Sequence, residues 1–183
     1  MDYEVLLKNS WNIVKDNIVT FIVGLLIAVI GSILIVTIAP LAYGYTFMAI
    51  KGVRGEIPEI GDVFEGFKKD NFIRSWTYML IAIVASVIIG QIPYLSSILS
   101  LIMGVLLMYT MPLLIIRGYG GIDGITESIE MVQAVPIESV IIYVIINVLI
   151  FIGMLLIGIG VLITAPIAAV FIAGATTELA GER

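Results

Sequence analysis

The sequence predicts an all-α polytopic membrane protein. Six transmembrane helices form three hairpins, with amphipathic lead-in helices lying in the membrane interface. Three observations carry this reading. Ile18–Ile50, Ser75–Ile116 and Ser139–Thr177 contain no Asp, Glu, Lys or Arg. The charges collect in Met1–Asn17, Lys51–Arg74, Arg117–Glu138 and the tail Glu178–Arg183. The chain is 61% hydrophobic and 13% charged, where soluble domains are nearer about half and a quarter.

Each uncharged stretch exceeds the roughly 20 residues that one span needs, so each is expected to turn back. Met1–Asn17 precedes the first, and it lacks the short apolar core and cleavage site of a secretory signal. Leu7, Trp11 and Val14 form a stripe at helical spacing, as expected of an interfacial helix that anchors the first hairpin. In Ile18–Ile50 the only plausible turn is Gly31-Ser32. Two helices of about 16 residues reach about 24 Å each, short of a hydrocarbon core of about 30 Å. Lys51–Arg74 comes next, and Gly55–Phe72 is expected to be a solvated helix. Its carboxylates lack calcium-loop spacing. Ser75–Ile116 breaks at Gly90-Gln91-Ile92-Pro93-Tyr94, where proline removes a donor. In the third lead-in, Ile125, Ile129 and Val132 repeat the apolar stripe. The acidic groups there, opposite Lys8 and Lys15 of the first, suggest that the two lead-ins pack together. Ser139–Thr177 divides at Gly158-Ile159-Gly160 into helices near Val140–Ile157 and Val161–Ala175.

Hairpins place every Lys and Arg, Arg183 included, on one side of the membrane. The positive-inside rule makes that side cytoplasmic and puts both termini there, in a multi-pass cell-membrane protein. The whole chain, 1–183, reads as one membrane domain: 1–50, 51–117 and 118–183 each carry one hairpin.

The first and third hairpins read as a parallel internal repeat. Asn9–Lys15 aligns with Glu127–Gln133, Ala39-Pro40 with Ala165-Pro166, and Gly55-Glu56 with Gly181-Glu182. The middle hairpin shares Lys69-Asp70-Asn71 with Lys15-Asp16-Asn17, a fainter hint of a threefold repeat. An even number of crossings separates the copies, so they run parallel.

No cysteine or histidine is present. Disulfides, thiol or histidine catalysis and the common zinc and haem ligands are thereby excluded. No cofactor or catalytic residue is expected. A net charge of −5 argues against nucleic acid. Small residues recur every four positions at Gly24, Ala28 and Ser32, at Ala82, Ser86 and Gly90, and at Ala165, Ala169 and Ala173. This spacing lets helices approach closely, and packing is its expected use rather than a pore lining. Pro40 and Pro166 are expected to kink their helices. Asn147 is the most costly of the intramembrane polar groups, and it is expected to be buried against a neighbouring helix or subunit.

Several of these segments carry a resemblance. Pro40-Leu41-Ala42-Tyr43-Gly44, Gly55-Glu56, Asp62-Val63-Phe64-Glu65-Gly66-Phe67-Lys68, Ser128, Gly158-Ile159-Gly160 and Pro166 resemble a broad, poorly characterised group of prokaryotic membrane proteins. That group is similar to the membrane domain attached to some glycerophosphoryl diester phosphodiesterases. The resemblance spans most of the chain and implies a six-helix membrane domain. The phosphodiesterase chemistry itself would need histidine and metal-binding carboxylates, and the first hairpin is shorter than the group's.

The function expected is that of a non-catalytic membrane module surrounded by lipid, assembling with itself or with a membrane-protein partner. The alternatives are a channel or passive transporter for a neutral solute, and a lipid-handling protein. No nucleophile–base pair supports an enzyme.

Overall fold

A computed structural model describes residues 1–156 and 158–181. Ile157, Glu182 and Arg183 lie outside the described residues. So do the expected end of one helix, half of the Gly181-Glu182 match and one cation of the charge count.

The described residues are helical, without strands. α1 (Tyr3–Asp16) starts at Asp2, whose carboxylate accepts from the backbone N–H groups of Glu4 and Val5, as an N-cap should. α2 (Ile18–Gly31) and α3 (Ile38–Val53) form the first hairpin around a 3-10 turn, Ile35–Thr37. A longer 3-10 segment, Ile60–Phe67, leads to α4 (Lys69–Gly90). The second hairpin returns through α5 (Ser96–Leu107) and α6 (Thr110–Ile116). Then α7 (Gly121–Ala134) leads into α8 (Pro136–Leu155) and α9 (Val161–Leu179). The turns expected at Gly31-Ser32, after Gly90 and around Gly158 are all present.

Four segments are long and apolar enough to cross a membrane: α4, Ser96–Ile116, α8 and α9. α1 and α2 would supply a fifth only as one span bent by 88°. With 14 and 16 residues, α2 and α3 measure about 21 and 24 Å. The expected six full spans thus reduce to four or five by length, because the first hairpin is short.

The interior is built from the helices that close the hairpins. α3, α6 and α9 pack on one another. Each is covered by the lead-in segment of a hairpin. Ile60–Phe67 lies on α3, α7 on α6, and α1 on α9. The lead-ins α1 and α7 therefore pack on different helices, not chiefly on each other as their charges suggested. Within them the buried stripes are Ser10 and Val14, and Gly121, Gly124, Ser128 and Val132. Trp11 points outward. Each closing helix stops two residues before a glycine with left-handed backbone: Gly55 (φ 78°), Gly118 (φ 67°) and Gly181 (φ 73°). A glycine there lets the chain leave the helix without Cβ strain. These three glycines are evenly spaced, 63 residues apart.

Candidate functional site

Three places combine polar chemistry with defined geometry. The first is the seam between α3 and Ile60–Phe67. Here a segment expected to be a solvated helix is instead docked. A Cβ on Gly44 would collide with the backbone of Val63, and one on Gly66 with the backbone of Pro40. The backbones meet because both positions lack a side chain. Val63 is fully buried between them. At one end Asp62, only 9% exposed, receives Lys51 Nζ at 3.2 and 3.0 Å and the backbone N–H of Glu59 at 2.7 Å. The Asp62 carboxylate holds the Lys51 ammonium above its ordinary range. At the other end Tyr43 Oη lies 3.0 Å from Asn71 Oδ1, and Asn71 Nδ2 donates to the Glu65 carbonyl at 3.0 Å. The Pro40–Gly44 and Asp62–Lys68 motifs, distant in sequence, are the two sides of this one seam.

The second place is a groove of about 700 Å³ between α1, the end of α3 and α9. Its polar side chains include Asn9, Asn12, Asp16, Thr177 and Glu178. No group of acidic side chains suited to hold a metal ion occurs among the described residues. These side chains give the groove hydrogen-bond capacity.

The third is a groove of about 690 Å³ between α5 and α8, walled by Leu101, Val105, Val144, Val148 and Phe151. Asn147 lies in it, near the middle of α8. Its Nδ2 donates to the Tyr143 carbonyl of its own helix at 2.8 Å. The side chain is exposed, so the expected burial against a neighbouring helix does not occur within the chain. Length and hydropathy make α8 a candidate span.

The small-residue stripes separate into packed and unpacked sets. Gly24 lies against α3, where a Cβ would come within 2.8 Å of Met48 Cε. Ala28 packs on the core, and Ser32 Oγ bonds the Ala28 carbonyl at 2.6 Å. On α9, Ala173 is buried, Ala169 packs against the same core and Ala165 is half-buried. By contrast Ser86 and Gly90 of α4 are exposed and Ala82 is half-buried; a Cβ on Gly90 would meet nothing within 4 Å. Spacing alone cannot tell a stripe turned inward from one turned outward.

The prolines also differ. Pro166 stands inside α9 as expected. Pro40 falls in the first turn of α3, since that helix begins only at Ile38. Its missing N–H would have had no helical partner there, so the expected kink has no cause. Sequence reasoning missed the glycine contacts at Gly44 and Gly66, whose signal is conformational and steric rather than chemical. Three buried hydroxyls, Tyr45, Thr110 and Thr164, have no partner among the described residues. They sit on α3, α6 and α9 in turn and do not converge on one site.

No family model, curated protein or solved structure matches the chain.

Proposed function

We propose that the protein is a non-catalytic membrane module that associates with a second copy of itself through the α5–α8 groove. The observation that carries this reading is Asn147. An amide near the middle of a 20-residue apolar helix faces outward with only one of its hydrogen bonds made. In hydrocarbon an unsatisfied polar group costs several kcal/mol, roughly. A carboxamide both donates and accepts, so two copies related by a twofold axis satisfy each other reciprocally. The valines and Phe151 of the groove then provide the apolar contact around the pair.

The finer topology belongs to the same reading. The charged segments face the cytoplasm with both termini, and the three hairpins descend from a repeated unit. The alignment of Asn9 with Glu127 also aligns both ends of α1 with both ends of α7, and that of Pro40 with Pro166 aligns the C-terminal ends of α3 and α9. The cyclic pattern of lead-in segments and the even glycine spacing extend the repeat to the middle hairpin. That the two sides of the α3 seam are the motifs of the resemblance gives those motifs a shared physical role and favours it.

Asn147→Leu is expected to lower the dimer association constant about tenfold in mild detergent and in bilayers, an effect worth about 1.4 kcal/mol. Förster transfer between labelled copies in liposomes measures it. A wild-type protein that stays monomeric at high protein-to-lipid ratio defeats the proposal.

A further inference from the structure

We infer that the first hairpin is a re-entrant wedge. It enters the bilayer from the side that carries the charged segments, occupies hydrocarbon of that leaflet only, and leaves by the same side. This inference rests on the reading of α4 as a membrane span with Lys69 at its charged end and Gly90 at the opposite face.

Three independent observations converge. The first is length, since neither α2 nor α3 reaches across a core of about 30 Å. The second is where the hairpin tip is tied. Trp76 Nε1 of α4 donates to the Val36 carbonyl at 3.0 Å. Asn71, a turn earlier in α4, meets Tyr43. The beginning of α3 is thus held beside the first two turns of α4. From Trp76 to Gly90, α4 rises a further 21 Å or so, and over that length none of the hydrogen bonds among the described residues joins it to the first hairpin. An indole reaches only a few ångströms from its helix, so the tip stays near the charged end whatever the tilt of α3.

The third observation is the chemistry of the tip. Ile33, Leu34, Ile35 and Val36 are all exposed. The tip of the second hairpin, in contrast, intersperses its exposed Ile92 and Leu95 with Gln91, Pro93, Tyr94, Ser96 and Ser97. Four successive exposed apolar side chains suit hydrocarbon and not water. Irregular backbone at membrane depth needs its polar groups satisfied internally. At this tip Trp76 supplies the donor for the Val36 carbonyl, and the hydroxyls of Ser32 and Thr37 place their own protons on carbonyls that backbone N–H groups also reach. Ser32 Oγ donates to the Ala28 carbonyl at 2.6 Å. Thr37 Oγ1 lies 2.5 Å from the Gly31 carbonyl and 2.6 Å from that of Leu34, and Trp76 takes Val36. The backbone N–H groups of Ile33, Leu34 and Thr37 find the carbonyls of Ile30, Gly31 and Leu34.

The partner of this surface is therefore the acyl-chain region of one leaflet. A wedge confined to one leaflet displaces lipid there and not in the other, so the protein takes up more area on its charged side.

The chain has no cysteine, so single thiols test the inference in the full-length protein. Leu34→Cys and Ser96→Cys are treated with a membrane-impermeant maleimide, in sealed vesicles of known orientation and after permeabilisation. Ser96→Cys should label from the face opposite the charged segments. Leu34→Cys should label at least about tenfold more slowly than Ser96→Cys both before and after permeabilisation, because a thiol in hydrocarbon does not ionise. In SDS it should label fully, which verifies that the thiol is intact. If Leu34→Cys labels from the same face as Ser96→Cys, the hairpin crosses the bilayer and the inference is overturned. It is equally overturned if Leu34→Cys labels rapidly from the charged side alone. Failure of Ser96→Cys to label from the opposite face would instead overturn the membrane orientation of α4, on which the inference rests.

Discussion

α3 and α4 are neighbours in sequence and opposite in environment. α3 is the shorter, yet 10 of its 16 residues are buried. α4 has 22 residues, of which Ser75 alone is buried. Both are strongly apolar. The difference lies in what each surface offers to other protein. α3 presents Gly44 to the backbone of Val63 and Pro40 to Gly66, and closes the contact with a charged pair at one end. α4 presents Ile, Leu and Val in nearly every direction, a surface suited to lipid. In a membrane, apolar side chains gain little by leaving lipid for protein. Packing is decided by backbone approach and by satisfied polar groups, and α3 has both.

The sharpest way to break this contrast is to add one methyl group. Gly66→Ala or Gly44→Ala sets a Cβ against backbone that cannot rotate away. Each is expected to destabilise by about 3 kcal/mol or more, read from SDS-induced unfolding in mild detergent. Loss below about 1 kcal/mol would mean that the seam opens easily and that backbone contact does not hold α3 in place.

Next comes the charged end of the seam. Asp62→Asn removes the ion pair with Lys51 and weakens the cap on Glu59, at an expected cost of about 2 kcal/mol. The pH dependence comes from the raised Lys51 value. The pair's contribution is fully present below the unfolded lysine range, and is lost as pH rises through the higher folded value. The wild type should therefore lose stability relative to Asp62→Asn as pH rises through the strongly alkaline range. A loss already visible at neutral pH would contradict this.

The smallest effect should come from α4. Ser86→Leu on its exposed face should change stability by less than about 0.5 kcal/mol. A clear loss would show that this face is covered by protein rather than open to lipid.

Much of the helical pattern was legible because charge and turn residues are strong local signals. The turns at Gly31-Ser32 and after Gly90 arise from residues that disfavour helix, and both appear where expected. What could not be read locally was direction. The Gly24 stripe and the Ala82 stripe have the same spacing, but one faces protein and the other does not. Pro40 reads as a kink only until the start of its helix is known. The docking of Ile60–Phe67 was hidden because its acidic and lysine-rich flanks resemble a solvated surface, while the contact itself is made by the absence of side chains. The glycines 55, 118 and 181 stand in plain view at even spacing; their meaning needed the three helix ends. Asn147 stands out in the sequence as costly, but no local feature says which way a residue in a uniformly apolar helix points.

The packing of α1 on α9 has a consequence for biosynthesis. Leu6 lies against Gly174, so α1 rests on a helix that leaves the ribosome about 160 residues later. Until α9 has been made, the inner face of α1 must wait with its eventual partner still absent. The ring of lead-in segments closes only when translation has passed α9, and a nascent chain halted after the second hairpin would expose that waiting face to chaperones and proteases.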